Sequence, residues 1–299
     1  MTKTLKNALL VFIGGCCYGG VIPLVRTGQS NGYNPAELMV VQYIISVVIM
    51  LVVFFIIRDF SIRPKQMLQL AGTGIVGAGV SFFYYNALIQ LSSSAALTLL
   101  FQFVWMGVLL QSILERKPPQ LLSVIAVLVI LVGTVLAAGL LQPQGVHLTV
   151  LGVFFGIMAA VFYTAFLHFS GKAATELPTT VRTLFTNIGS LITAVCVLPL
   201  SVAGETAAKS LPWFGVPLAL VGVILPVFLM QKAAPRIPDG VTTIMASSEL
   251  PSGIFMAAMF LGDAVSALEW VGVVVVLGGI VLSQLQGLRT GKSPPSLRC

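Results

Sequence analysis

Ten stretches of the chain are each long and apolar enough to be read as a membrane-spanning helix, for which roughly 20 mostly apolar residues suffice. They lie at 7–26, 36–57, 67–90, 94–114, 120–140, 148–169, 179–201, 212–233, 240–260 and 268–286. Only 8% of the 299 residues are charged, while 57% are apolar or aromatic, so a water-soluble surface of this size could not be covered. Disorder is excluded by the same apolar content. An outer-membrane barrel would show short alternating segments, whereas these runs are continuous. The expected fold is an all-α integral membrane protein with ten transmembrane helices. Proline, glycine and charge punctuate it at Asn31-Gly32-Tyr33-Asn34-Pro35, Arg58 to Lys65, Glu115-Arg116-Lys117-Pro118-Pro119, Gln142-Pro143-Gln144-Gly145 and Pro235 to Gly240. The first run is expected to stay as a helix rather than be cleaved as a leader, because no small-x-small site follows it.

The basic residues then sort by side. With the N-terminus inside, 14 Lys and Arg fall on the inner face and only Arg26 and Lys209 on the outer. This positive-inside bias places both termini of a multi-pass membrane protein in the cytoplasm. It also explains the net charge of +7 as a topology signal and not a nucleic-acid footprint.

The two halves repeat. A shift of 146 residues lays Val241–Ile280 on Ala95–Thr134, with Gly279 on Gly133 and Leu268 on Leu122; a shift of 145 lays Tyr163 on Tyr18. Five helices per half is an odd number, so the second copy must enter the membrane from the opposite side. The expected plan is two inverted five-helix repeats, 1–143 and 144–288, with a cytoplasmic tail at 289–299 and a substrate site near midplane between them.

Both repeats close in a recognisable way. The first runs from Met106 to Leu136 through Leu114-Glu115-Arg116-Lys117. The second runs from Ile254 to Leu282 through Phe260-Leu261-Gly262-Asp263, Leu268-Glu269-Trp270-Val271-Gly272 and Gly278-Gly279. The chain resembles the drug/metabolite transporter superfamily, in its EamA-type ten-helix branch. The second copy is similar to that branch's usual ending, while the first replaces the glycine-acid pair with Glu115-Arg116-Lys117. The resemblance implies a bacterial inner-membrane exporter of small metabolites, amino acids or drug-like solutes.

Several motifs are decoys. Gly72-Thr73-Gly74-Ile75-Val76-Gly77 spells a dinucleotide fingerprint, but it sits inside an apolar helix with no strand before it. Its glycines read as a smooth surface for helix packing. Cys16 and Cys17 are adjacent, Cys196 and Cys299 stand alone, and nothing pairs His147 or His168. No metal site, cofactor, disulfide or catalytic group is expected.

An ionisable group deep in a bilayer is costly and so is a functional candidate. Of nine acids, Glu249 alone lies mid-span, among Ser247, Ser248, Pro251, Ser252 and Gly253. At 1.5 Å per residue it is roughly 13 Å from either surface. Pro251 removes a backbone donor and should kink the helix, freeing the Ser247 carbonyl. Glu249 is read as a proton carrier or substrate ligand, the alternative being a neutral acid that pins helices together. In the repeat mate, Thr98, Gln102, Trp105 and Ser112 share one helical face, with Trp105 near midplane, where it either stacks on substrate or packs. Tyr18, Tyr163, Asn187 and Ser248 complete the candidate binding or coupling set. Gln42, Tyr43, Ser81, Tyr84, Tyr85 and Asn86 are further polar positions in the membrane.

The expected activity is therefore export by alternating access, with Glu249 as the candidate proton-coupling group. An uncoupled facilitator of the same fold and, in a different class, a non-transporting scaffold or sensor subunit are the alternatives. Partners would be a small-molecule substrate, the lipid bilayer and protons, with no nucleic acid, in a monomer or homodimer. A phosphorylated substrate would call for Lys or Arg at midplane, and there is none.

Overall fold

A computed structural model describes residues 3–57, 62–91, 93–137, 149–197, 214–261 and 265–290. His147, Arg58, Lys209, Gly262, Asp263, the 142–145 break and the tail beyond 290 lie outside the described residues. Every described element is helical. In chain order they are α1 (Lys3–Gly19), α2 (Val21–Ser30), α3 (Pro35–Ile57), α4 (Pro64–Gln90), α5 (Ser93–Leu100), α6 (Phe103–Glu115) and α7 (Leu121–Ala137). There follow α8 (Val150–Lys172), α9 (Thr179–Val197), α10 (Val216–Ala219), α11 (Leu225–Ala233), α12 (Asp239–Ala246), α13 (Glu249–Leu261) and α14 (Ala267–Thr290). A π-turn over Leu220–Ile224 joins α10 to α11.

The sequence signals that start these helices act as caps. Pro35 opens α3, where the Asn34 side chain accepts from the Ala36 N–H and Glu37 reaches back to the Asn34 N–H at 2.8 Å. Thr149 Oγ1 accepts from the Gly152 N–H to start α8. Ser266 and Glu269 cap α14 reciprocally. Each satisfies N–H groups that a helix start leaves orphaned. At the other end of α6, Arg116 takes φ +52°, a left-handed C-cap conformation that favours glycine. The residue 146 positions later is Gly262, so the first copy's departure from the glycine-acid pair places a side chain in a glycine-like turn, at a cost of roughly 1–2 kcal/mol.

Six helical bodies are long and apolar enough to cross a membrane: Thr4–Ser30, Ala36–Ile56, Pro64–Gln90, Ala95–Glu115, Val150–Lys172 and Val216–Arg236. Leu121–Ala137 and Ala267–Ser283 are shorter apolar helices. The other two stretches read as spans are helical but different: α9 is less apolar, and the 240–260 stretch is split into α12 and α13. In packing, α7 lies along α14, α4 against α8 and α9, α3 against α9, and α1 against α11, α12 and α13. The glycine-rich run is a close-packing surface only in part. A Cβ on Gly74 would strike the Thr186 carbonyl of α9, whereas one on Gly72 would meet nothing within 4 Å.

Candidate substrate cavity

The break between α12 and α13 follows from Pro251. Lacking an N–H, it leaves the Ser247 carbonyl without its helical donor. The Leu250 N–H reaches that carbonyl instead, at 3.3 Å, and the chain turns tightly through Ser247 and Ser248. Glu249 thereby becomes the first residue of α13. The serines satisfy themselves locally or on α1: Ser247 Oγ donates to the Ile244 carbonyl and Ser248 Oγ to the Phe12 carbonyl at 2.7 Å. α1 can come this close because Gly15 and Gly19 face the break without side chains.

The shift that aligns the halves carries Phe101–Gln102 onto Ser247–Ser248, and the α5–α6 helix breaks there too. No proline causes this break. The backbone tightens, with the Gln102 N–H on the Leu99 carbonyl, and the Gln102 side chain donates to the Thr98 carbonyl at 3.0 Å.

Glu249 opens onto a cavity of about 770 Å³, mouth included, between α1–α2, α3, α4, α8, α9, the α10–α11 turn and α13. Five tyrosines line it: Tyr18, Tyr43, Tyr84, Tyr85 and Tyr163. Tyr163 donates its hydroxyl to Glu249 Oε2 at 3.1 Å and meets Tyr18 edge-on, with ring centroids 6.0 Å apart. The Tyr43 hydroxyl lies 3.2 Å from Ser81 Oγ. Gln42 and Ser190 add polar groups, and Glu249 is the sole charged side chain in the lining. Aromatic faces carry negative charge density that attracts cations, and one carboxyl can take an ammonium group. A second pocket, lined by Asn34, Met39, Asn86 and Ile89 among others, shares Tyr85 with the first. It lies where α3 starts and α4 ends.

Residues 5–139 match the EamA-like transporter family. The alignment with known proteins runs further: an uncharacterized transporter of Bacillus subtilis (strain 168), YcbK, is 21% identical over 96% of this chain and 95% of its own length. An uncharacterized inner membrane transporter of Salmonella typhimurium (strain LT2), YicL, is 25% identical over 98% of this chain and 100% of its own. A solved crystal structure shares the fold with a TM-score of 0.74, at 17% identity, over 96% of this chain and 99% of that one.

Within this bundle the sequence-selected residues separate into two groups. Glu249, Tyr18 and Tyr163 meet at the cavity. Trp105, Gln102, Thr98, Asn187 and Ser248 are not among its lining residues. Trp105 is 38% exposed on the bundle's flank, and its indole N–H donates to Gln102 Oε1 at 2.9 Å. The shared face expected for Gln102 and Trp105 thus exists, but it closes on itself; α5 contributes Leu100 to the cavity instead. Asn187 is fully buried with neither amide atom partnered. Ser190, one turn on, lines the cavity and was not singled out by the sequence, in which a lone serine in a span carries no signal.

At the end where α4, α9 and α12 begin, the bundle is sealed by polar contacts. Arg182 donates to the carbonyls of Ser170, Ala173 and Gln231 at 2.6–3.0 Å, closing the last turns of α8 and α11. Gln66 Nε2 meets Glu176 at 2.6 Å, and the Gly240 N–H meets Gln111 Oε1 at 2.8 Å, each joining one half to the other. Glu176 is held below the usual carboxylate range by a backbone hydrogen bond and then by Gln66. His168 is paired after all: its Nδ1 lies 2.7 Å from Asp239 Oδ2. The expectation of an unpaired histidine fails because the partner is 71 positions away and only tertiary packing brings it near. Among the described residues no group of three His, Cys, Asp or Glu gathers.

Proposed function

We propose that the protein is a secondary transporter of the bacterial inner membrane, with ten spans in two inverted five-helix repeats and both termini cytoplasmic. It moves small organic solutes bearing an amine, zwitterionic or cationic, by alternating access. The observation that carries this reading is Glu249, placed at a helix break and facing a tyrosine-lined cavity whose lining residues include no Lys or Arg. Transport folds of this kind place the substrate at discontinuous helices near midplane.

The helix pairings support the inverted plan. α1 packs on α11 and on α12–α13, and its mate α8 packs on α4 and on α5–α6. α3 meets its own mate α9, α6 meets α12, and α7 meets α14, the pattern expected around a pseudo-twofold axis. The coincident breaks at Phe101–Gln102 and Ser247–Ser248 agree with it. The sealed end is the one rich in basic residues, so the cavity belongs to an outward-facing state. Glu249 takes a proton and a solute in turn, and an inward proton gradient then drives the solute outward.

The test is flux in reconstituted vesicles. An imposed pH gradient should drive uptake or release of an amine solute by the parent protein and not by Glu249→Gln. Equal gradient-driven flux in both would remove Glu249 from the coupling step and favour an uncoupled facilitator.

A further inference from the structure

The α9 helix carries one polar face. Thr183, Thr186, Asn187 and Ser190 recur at helical spacing, and each is at most 4% exposed. Gln231 of α11, also fully buried, faces them: Thr183 Oγ1 lies 3.0 Å from its Oε1, and its Nε2 donates to Thr186 Oγ1 at 2.7 Å. One end of this stripe is Ser190, which lines the cavity. The other is next to Arg182, at the sealed end of the bundle. A continuous polar track therefore runs from the cavity through the half of the bundle that is packed shut.

Interhelical hydrogen bonds explain Thr183, Thr186 and Gln231 as ordinary glue between membrane helices. They do not explain Asn187. Its amide oxygen and nitrogen are both buried and without a partner, a state that an apolar residue of similar size would avoid. A fully buried amide with no partner is tolerated where another state of the protein hydrates it.

We infer that this stripe is the wall of the path by which the solute leaves the cavity toward the sealed end, lined by water when that end opens. The inference rests on the alternating-access reading above. The geometry permits the opening. Arg182, Thr183, Thr186 and Gln231 all belong to the second half and hold one another, so they can move as a unit. The first half meets the stripe at Gly74, whose carbonyl accepts from Ser190 Oγ at 2.9 Å. Separating the halves there exposes the stripe without undoing the Gln231 bonds. The path suits water and small polar or zwitterionic solutes, since hydroxyls and amides line it as far as Arg182 at its sealed end.

Single cysteines test this in full-length protein with Cys16, Cys17, Cys196 and Cys299 replaced by Ser. Thr186→Cys and Asn187→Cys are exposed to a membrane-impermeant thiol reagent from the face that carries Glu176. Glu176→Cys serves as the loop control and Ile192→Cys, at a 53% exposed apolar position, as the lipid control. Both stripe positions should label at least about tenfold faster than Ile192→Cys, because a thiol held in lipid stays protonated and inert. Labelling as slow as Ile192→Cys while Glu176→Cys reacts, or labelling only from the opposite face, overturns the inference. Thr186→Cys is nearly isosteric and decides the matter if Asn187→Cys does not fold. The readout needs no substrate, so unchanged gradient-driven flux in Glu249→Gln with labelling intact counts against the coupling role alone.

Discussion

Tyr163 donates its hydroxyl to Glu249 Oε2 at 3.1 Å across 86 positions of sequence, fixing the carboxyl at the start of α13 against α8. One carboxylate oxygen is thereby engaged from the wall, in a lining that offers no competing cation. Glu249→Gln keeps the shape and can still accept from Tyr163, but it removes the charge. A hydrogen bond to a charged group contributes about 1.5–3 kcal/mol. An ammonium-bearing solute should therefore bind roughly ten- to a hundredfold more weakly. Binding to purified protein at fixed pH checks this separately from the flux assay.

Tyr163→Phe and Trp105→Ala should part company. The first removes a donor to Glu249 inside the cavity and should change solute affinity by about 1 kcal/mol, or roughly fivefold. The second truncates a ring outside the cavity lining, so affinity ratios between aromatic and aliphatic amines should stay as they are. A selective loss of aromatic solutes in Trp105→Ala would place Trp105 on the solute's path.

Hydropathy located the helices because lipid and the bundle interior both demand long apolar runs, and Pro251 foretold the break that puts Glu249 at a helix start. Rarity singled out Glu249, since one acid in mid-span is conspicuous. Trp105 was conspicuous for the same reason, yet rotation about the helix axis decides which way a side chain faces, and an apolar face toward lipid looks like an apolar face toward a core. Ser190 and the Tyr43–Ser81 pair were indistinct because single polar residues in spans serve helix packing as often as ligands. The His168–Asp239 contact could not be read at all, being made by tertiary packing alone.

Gly19 should resist substitution. A Cβ there would approach the Gly253 nitrogen at 2.5 Å and the Glu249 carbonyl at 2.8 Å, both backbone atoms that cannot rotate away. Gly19→Ala should cost about 1–3 kcal/mol by overpacking and should displace the start of α13. Gly72→Ala, which meets open space, should be near neutral. Thermal unfolding in detergent compares the two, and equal midpoints would mean that α1 and α13 do not touch as described.

Arg182 is a test of the sealed end. Its guanidinium satisfies three carbonyls that close two helices, a fork that lysine cannot reproduce. Arg182→Met should leave those groups unpaired, at about 1–3 kcal/mol for each that stays buried. Arg182→Lys should fall between Met and the parent protein. The same melting measurement ranks them, and a Met variant as stable as the parent would show that water reaches those carbonyls.

The orientation of the halves can be tested without any substrate. Fourteen of sixteen basic residues fall on one side of the ten-span arrangement, and positively charged loops are retained in the cytoplasm. Reporter fusions after residues 146 and 290 are separated by five spans in that arrangement. An odd number must put them on opposite faces, with 146 outside and 290 inside. An alkaline phosphatase fusion should then be active only at 146 and a fluorescent protein only at 290. Activity on the same face at both sites would require an even number of crossings in the second half, and the halves could not then be inverted copies around a shared cavity.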